Sequence, residues 1–414
     1  MGRWARLVTI ALLLASAFVL TPTSHAANRP RPSEDPFYAY SGTAPLESIP
    51  PGTVLNHRIV DVTLAGSTTP VRADQLLYRT TGQLGQATVT VTTVLQPTST
   101  PVLPRIVDYL SFYDGLSSQC DPSYTLAGGN SGDPTYQQEA DEEELLISWY
   151  LAQGDIVTVP DFEGTGLHWM AGRESGYGAL DAVRATTAYL GLGPSTEVGL
   201  SGYSGGSVAA DWASEVGPAY APEVNIVGVA EGGIPANYVN HFAYINGTKE
   251  YSAAIPGELL GLARAYDIDL RPYLSDYGRE VVDRIGQGCI ASMFGTTPGL
   301  TIEDIMRPGY ADLAHVEPFA TILREQTMGT AATHPKAPLL MAIGQADGKG
   351  DGAMTVSDVK ALARHYCAQG VAVEHREYQG ASHIAAAAFF EPETGPFLQA
   401  RFTGVPFVSG CGSL

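Results

Sequence analysis

The period of the hydrophobic pattern changes several times along the chain. Residues 58–64 (IVDVTLA) and 87–96 (ATVTVTTVLQ) alternate and are rich in β-branched side chains, which predicts antiparallel strands leading into a sheet. The Pro- and Ser-rich stretch 28–53 before them predicts extended chain. Beyond residue 96 the pattern becomes strand, helix, strand, helix. Strands are predicted at 105–110, 155–160, 197–200 and 224–230, with helices over 137–153, 178–192 and 205–216. The 137–153 segment carries acidic residues first and apolar ones later, which suits the positive end of a helix dipole. This alternation predicts an α/β fold with a mostly parallel central sheet flanked by helices.

The rhythm breaks at 237–328. That stretch is mainly helical, as at 257–266 and 276–286, and shows no clear strand. It is expected to be a helical lid inserted into the core. The alternation returns with a strand at 337–343, a helix at 355–368, a strand at 371–378 and a last helix from 384. The core therefore falls into two parts, 27–236 and 329–414.

The first 26 residues read as an export signal. Arg3 and Arg6 precede an apolar run over 7–20, and Ser24-His25-Ala26 gives small residues for cleavage. A secreted, extracellular mature chain is expected. No later stretch is apolar for long enough to span a bilayer. The formal charge of −20 disfavours nucleic acid and anionic membranes as partners and favours a neutral substrate. Four cysteines, Cys120, Cys289, Cys367 and Cys411, in an oxidising compartment predict two disulfides. None lies in a C-x-x-C pair, so neither a metal site nor a redox motif is expected, and spacing leaves all three pairings open.

Gly202-Tyr203-Ser204-Gly205-Gly206 matches G-x-S-x-G, between a predicted strand and a predicted helix. That context is what a nucleophile elbow needs, because the sharp turn demands small neighbours and the helix N-terminus favours developing negative charge. A serine hydroxyl needs a base. His383, in Gly380-Ala381-Ser382-His383, follows the last strand at the sheet edge that also carries Ser204. His57 and His375 sit in strand patterns, His365 on a helix, and His168, His241, His315 and His334 in loops or the insertion. The base needs an acid to hold its tautomer. The loop after strand 337–343 offers Asp347 and Asp351, and Asp347 is favoured because it lies nearer the rigid strand end. Asp161 and Glu163, near a strand end, are expected to serve in capping and buried hydrogen bonds rather than in chemistry.

The stretch GYSGGSVAADWASEVGPAYAPEVNIVGVAEGGIPANY resembles the secretory lipase family of α/β-hydrolases, the lipase-A-like group. Further motifs carry the likeness: Ser111-Phe112-Tyr113-Asp114, Cys120-Asp121-Pro122-Ser123-Tyr124, Asp161-Phe162-Glu163-Gly164 and Leu180-Asp181-Ala182-Val183-Arg184-Ala185. The resemblance implies an α/β-hydrolase fold and a triad of Ser204, Asp347 and His383. It implies an oxyanion hole from the main-chain N–H groups of Asp114 and Gly205, and disulfides Cys120–Cys289 and Cys367–Cys411. The Asp347 loop is glycine-rich and longer than in the yeast members, which keeps Asp351 as the alternative acid. No cofactor is implied. The expected partner is a lipid or small acyl ester, met through the lid at a lipid–water interface by a monomeric enzyme. The expected reaction is hydrolysis of triacylglycerols or related esters through an acyl-enzyme. A short-chain carboxylesterase, a secreted serine peptidase or acyltransferase on the same fold, and a non-catalytic binding protein are the alternatives.

Overall fold

The computed structural model describes residues 29–62, 64, 71–99, 103–129 and 134–414, with the backbone alone for 134–142. The predicted signal segment and its cleavage site lie outside the described residues. Nine strands form one sheet in the order β1-β2-β3-β5-β4-β6-β7-β8-β9. The strands β1 (Val54–Val60), β2 (Arg72–Thr81) and β3 (Ala87–Gln96) pair antiparallel, and β3 pairs antiparallel with β5 (Ile156–Pro160). From β5 onward the strands β4 (Arg105–Leu110), β6 (Glu197–Tyr203), β7 (Asn225–Gly232), β8 (Leu339–Gln345) and β9 (Val373–Gln379) run parallel.

The helices are α1 (Pro122–Thr125), α2 (Pro134–Ala152), α3 (Gly172–Tyr189), α4 (Gly205–Tyr220), α5 (Tyr238–Ile245), α6 (Ala254–Ala265), α7 (Asp276–Ile285), α8 (Ile290–Met293), α9 (Ile302–Ile305), α10 (Phe319–Glu325), α11 (Val356–Ala368) and α12 (His383–Phe402). The parallel strands alternate their apolar side chains between two layers. Leu339, Met341 and Ile343 of β8 pack in the layer that holds Leu180 of α3, Trp212 of α4 and Leu362 of α11. Leu340 and Ala342 face the opposite layer, with Ile147 and Tyr150 of α2 and Phe390 and Leu398 of α12. This is the α/β-hydrolase arrangement. The β7 and β8 strands are sheet neighbours, so the helices α5 to α10 between them form an excursion from the sheet.

Several expectations need correction. The first strand begins four residues earlier than 58 and ends at Val60. Strand β2 was not expected at all. It buries Asp74, Gln75, Arg79 and Thr80 beside its apolar residues, so no alternation of polar and apolar positions marks it. The Pro- and Ser-rich lead is not uniformly extended, because 3₁₀ turns form at Pro32–Glu34, Pro36–Tyr38 and Leu46–Ser48. Helix α2 starts three residues before 137, so its first turn carries no acidic residue.

Candidate active site

Ser204 connects β6 to α4 with φ of 51° and ψ of −119°, a left-handed conformation that a non-glycine residue adopts only when its surroundings enforce it. Those surroundings are tight. A Cβ on Gly202 would lie 2.3 Å from the Gly206 carbonyl oxygen, and one on Gly206 would lie 1.9 Å from the carbonyl oxygen of Leu110. The Ser204 N–H donates to the Gly232 carbonyl at 2.8 Å, which ties the turn to β7. The strain sits in a turn locked by close-packed backbone and lifts the hydroxyl away from the sheet edge.

His383 opens α12, directly after the loop that follows β9. Its Nε2 lies 2.9 Å from Ser204 Oγ, and its Nδ1 lies 2.8 Å from Asp351 Oδ2. This geometry suits Nδ1–H donating to Asp351 and Nε2 accepting from the serine hydroxyl. The His383 main-chain N–H also donates to the Asp351 carbonyl at 2.8 Å, and Tyr203 Oη donates to the His383 carbonyl at 2.5 Å. Asp351 is 1% exposed, and its Oδ1 accepts from the N–H groups of Ala353 and Met354 at 2.9 and 2.7 Å.

The expectation that Asp347 orients His383 is therefore corrected. Asp347 is exposed, and its Oδ1 accepts from the N–H groups of Lys349 and Gly350, each at 2.8 Å, while Oδ2 accepts from Tyr244 Oη at 2.9 Å. The Gly350 N–H, with further help from Lys349 and Tyr244, holds its carboxyl below the usual carboxylate range. Asp347 builds a turn, and that turn carries the chain on to Asp351, which faces inward. Nearness to the strand end favoured the residue that starts the turn over the one delivered by it.

Gly205 is the first residue of α4, so its N–H has no acceptor within the helix. Asp114 lies in the loop after β4, with its carboxylate over Gly205: a Cβ there would lie 1.8 Å from Asp114 Oδ1. The Asp114 carbonyl accepts from Ile290 N–H at 3.0 Å. Cys120, next to this loop, is bonded to Cys289, and elsewhere Cys367 is bonded to Cys411, the pairing that the resemblance implies.

Ser204, His383, Asp114 and Gly205 all line one cavity of about 910 Å³. Much of its remaining lining is apolar. Trp169 and Met170 precede α3, Ile245 and Phe294 come from the 237–328 stretch, and Leu146 and Trp149 come from α2. Tyr203 and Tyr251 line it too, and Tyr251 stands edge-on to the His383 ring at 5.9 Å. Glu391 and a buried polar pair, His241 and Glu258, are polar members of the lining. His241 Nε2 lies 3.0 Å from Glu258 Oε2, and its Nδ1 lies 3.1 Å from the Ala353 carbonyl. Burial pushes the imidazole down, but Glu258 and the Ala353 carbonyl outweigh it, so the net displacement is upward and favours the imidazolium. Sequence reasoning placed His241 only in the insertion and gave no signal for Glu258, because a charged pair on two helices is joined by tertiary packing alone. No group of three or more His, Cys, Asp or Glu side chains suited to a metal ion is found among the described residues.

Many carboxyl groups are buried beneath this site. Burial raises Asp108, Asp121, Glu163, Asp211 and Glu231 well above the carboxylate range, and Asp161 to about 7. A carboxyl whose pKa is higher in the folded than in the unfolded chain keeps its proton where the unfolded chain sheds it. Stability is then fully present below about pH 4, the range of a free carboxyl, and is lost as pH rises through the folded value. Exposed Asp304 and Asp347 are displaced the other way by main-chain N–H groups, of Thr301 and Gly350 respectively, and at the surface they count for little. The thermal midpoint is expected to be higher at pH 5 than at pH 8, by about 5 °C or more. Differential scanning calorimetry at matched ionic strength checks this, and a higher midpoint at pH 8 would contradict the protonated state of these groups.

A family model described as "Secretory lipase" matches residues 134–410. A Mycobacterium tuberculosis protein named "Probable inactive lipase" is 32% identical over 388 residues, covering 91% of this chain and 83% of its own. A secreted triacylglycerol lipase of Malassezia furfur is 31% identical over 397 residues, covering 93% of this chain and 82% of its own. The crystal structure of Candida antarctica lipase A superposes with a TM-score of 0.84 at 28% identity, covering 93% of this chain and 89% of that one. With the elbow, the parallel sheet and a match over most of its length, the chain belongs to the secretory lipase family.

Proposed function

We propose that the chain is a secreted carboxylic ester hydrolase with Ser204 as nucleophile, His383 as general base and acid, and Asp351 as the group that orients His383. Ser204 Oγ attacks the ester carbonyl while His383 Nε2 takes its proton. Asp351 stabilises the resulting imidazolium. The oxyanion of the tetrahedral intermediate receives the N–H groups of Gly205 and Asp114. Its collapse expels the alcohol, which takes the proton from His383, and leaves an acyl-enzyme. Water activated by His383 then releases the acid and regenerates Ser204.

The observation that carries this reading is the unbroken Ser204–His383–Asp351 hydrogen-bond relay opening into a largely apolar cavity of about 910 Å³. Such a lining favours acyl chains over charged substrates, and the triacylglycerol activity in the name of the Malassezia furfur relative gives the substrate class we extend to this chain. The 237–328 segment is the inserted cap. Leu145 and Ile384, both exposed and both lining the cavity, lie on α2 and α12. Contact with a lipid surface therefore runs through these two helices as well as the cap. The two disulfides and the family's description support export through the first 26 residues.

The relative named an inactive lipase motivates a second reading, a binding protein that keeps the fold without turnover. The complete relay speaks against it. The test is hydrolysis of soluble p-nitrophenyl esters and of a triacylglycerol emulsion by the wild type and by Ser204→Ala. Turnover of both substrates, lost in the variant, is expected. An inert wild type would favour the binding protein, and an active Ser204→Ala would refute the nucleophile.

A further inference from the structure

We propose that Glu163 is a positioning residue for the oxyanion hole, fixing the Asp114–Gly115 peptide so that the Asp114 N–H is held toward the ester carbonyl. The proposal rests on the reading of Asp114 and Gly205 as the oxyanion donors.

Glu163 lies in the turn after β5, on a different element from either donor, and is 1% exposed. Its Oε2 accepts from the Gly115 N–H at 3.1 Å. The other end of the same peptide, the Asp114 carbonyl, accepts from Ile290 N–H at 3.0 Å. One peptide plane is thus gripped at both ends, by the turn after β5 on one side and by the start of α8 on the other. The residue before it is held as well. The Glu163 main-chain N–H donates to Tyr113 Oη at 2.7 Å, and the Tyr113 ring stands edge-on to Phe162 at 5.0 Å. Tyr113, Asp114 and Gly115 therefore take their orientation from Phe162 and Glu163. A main-chain donor cannot be aimed by its own side chain, so the direction of the Asp114 N–H has to be set by what grips its neighbours.

The chemistry of the pocket agrees. Burial and then the Asp114 carboxylate push the Glu163 carboxyl upward, while its bond from Gly115 and the Arg264 guanidinium pull it down; the net direction is up. Arg264 is itself engaged with the Leu116 carbonyl at 3.2 Å. A neutral carboxyl accepts from Gly115 through one oxygen without setting a second full charge against Asp114. Asp161, two residues earlier and equally enclosed, serves elsewhere: it accepts from Ser123 N–H at 2.8 Å and from Ser123 Oγ at 2.5 Å.

Three variants at position 163 test the inference, with Asp161→Asn as a control from the same turn. Glu163→Gln keeps a neutral acceptor of the same length. Glu163→Asp withdraws the acceptor, and Glu163→Ala removes it. On a soluble p-nitrophenyl ester, the Asp and Ala variants are expected to lose about 10- to 100-fold in kcat with KM within about threefold of wild type. Their rate of inactivation by a fluorophosphonate should fall in parallel. Glu163→Gln should stay within about threefold of wild type in all of these. Asp161→Asn should shift the thermal midpoint without lowering kcat. If the Ala variant does not fold, the Asp and Gln pair decides. The proposal is overturned if Glu163→Asp retains wild-type kcat, if Glu163→Gln is as impaired as Glu163→Asp, or if the loss appears in KM alone. An inactive wild type would instead sink the esterase reading itself.

Discussion

Asp351→Asn is expected to lower kcat for ester hydrolysis by about 10³- to 10⁴-fold, while Asp347→Asn stays within about threefold of wild type. The two residues lie four apart in one glycine-rich loop, so the pair separates chemistry from loop folding. Asp351 is buried, receives two main-chain N–H groups on Oδ1, and turns Oδ2 to His383 Nδ1 at 2.8 Å. An amide there can present its NH₂ to His383 and so favour the wrong tautomer, with Nε2 protonated and unable to accept from Ser204. Asp347 makes no such contact. Its loss removes turn hydrogen bonds at an exposed site, which costs modest stability. Steady-state kinetics on a soluble ester with both variants checks this. A severe loss in Asp347→Asn with an active Asp351→Asn would return the role to Asp347.

Gly205→Ala should lower kcat by about 100- to 1,000-fold, the loss expected when one oxyanion donor is displaced. The added Cβ would lie 1.8 Å from Asp114 Oδ1 and 2.4 Å from its Cγ. Either the Asp114 carboxylate swings away, and the loop moves with it, or the start of α4 retreats, and the Gly205 N–H moves. Both outcomes disturb a proposed donor. Gly217, in the same helix, is the control. A Cβ there meets only Ile226 Cδ1 at 3.6 Å and the Leu180 methyls beyond it. Gly217→Ala should leave kcat intact and add about 0.5–1 kcal/mol of helix stability. Kinetics and chemical denaturation of the two variants side by side distinguish local crowding at the site from a general intolerance of the helix.

Much of the architecture was legible because the buried strands are short apolar runs separated by helical periods. β6 ends at Gly202-Tyr203, directly before Ser204, and β8 reads as LLMAIGQ. Strand β2 was hidden for the opposite reason. Some of its buried polar side chains find distant partners, such as Asp181 Oδ2 for Thr80 Oγ1 at 2.8 Å. Local sequence carries no trace of a partner a hundred positions away. That Ser204 and His383 meet, 2.9 Å apart, was legible because each follows a strand at the same edge of the sheet. The carboxylate that faces His383 was not, since choosing between Asp347 and Asp351 needs the course of the turn, set by contacts such as Tyr244 Oη to Asp347 and Gly350 N–H to Asp347 Oδ1. Glu163 is the buried hydrogen-bonding residue that its place near a strand end predicts. Its partner, the loop bearing Asp114, appears only once β4 and β5 lie side by side.

The central claim is that Ser204 is the reacting atom's residue and that the relay behind it activates it. Mass spectrometry of the chain after reaction with a fluorophosphonate tests this most directly. A single adduct is expected on the peptide containing Ser204, formed at similar rates in the wild type and Asp347→Asn, about 100-fold or more slower in Asp351→Asn, and absent from Ser204→Ala. An adduct on another residue, or a folded wild type that takes up no label, would contradict it.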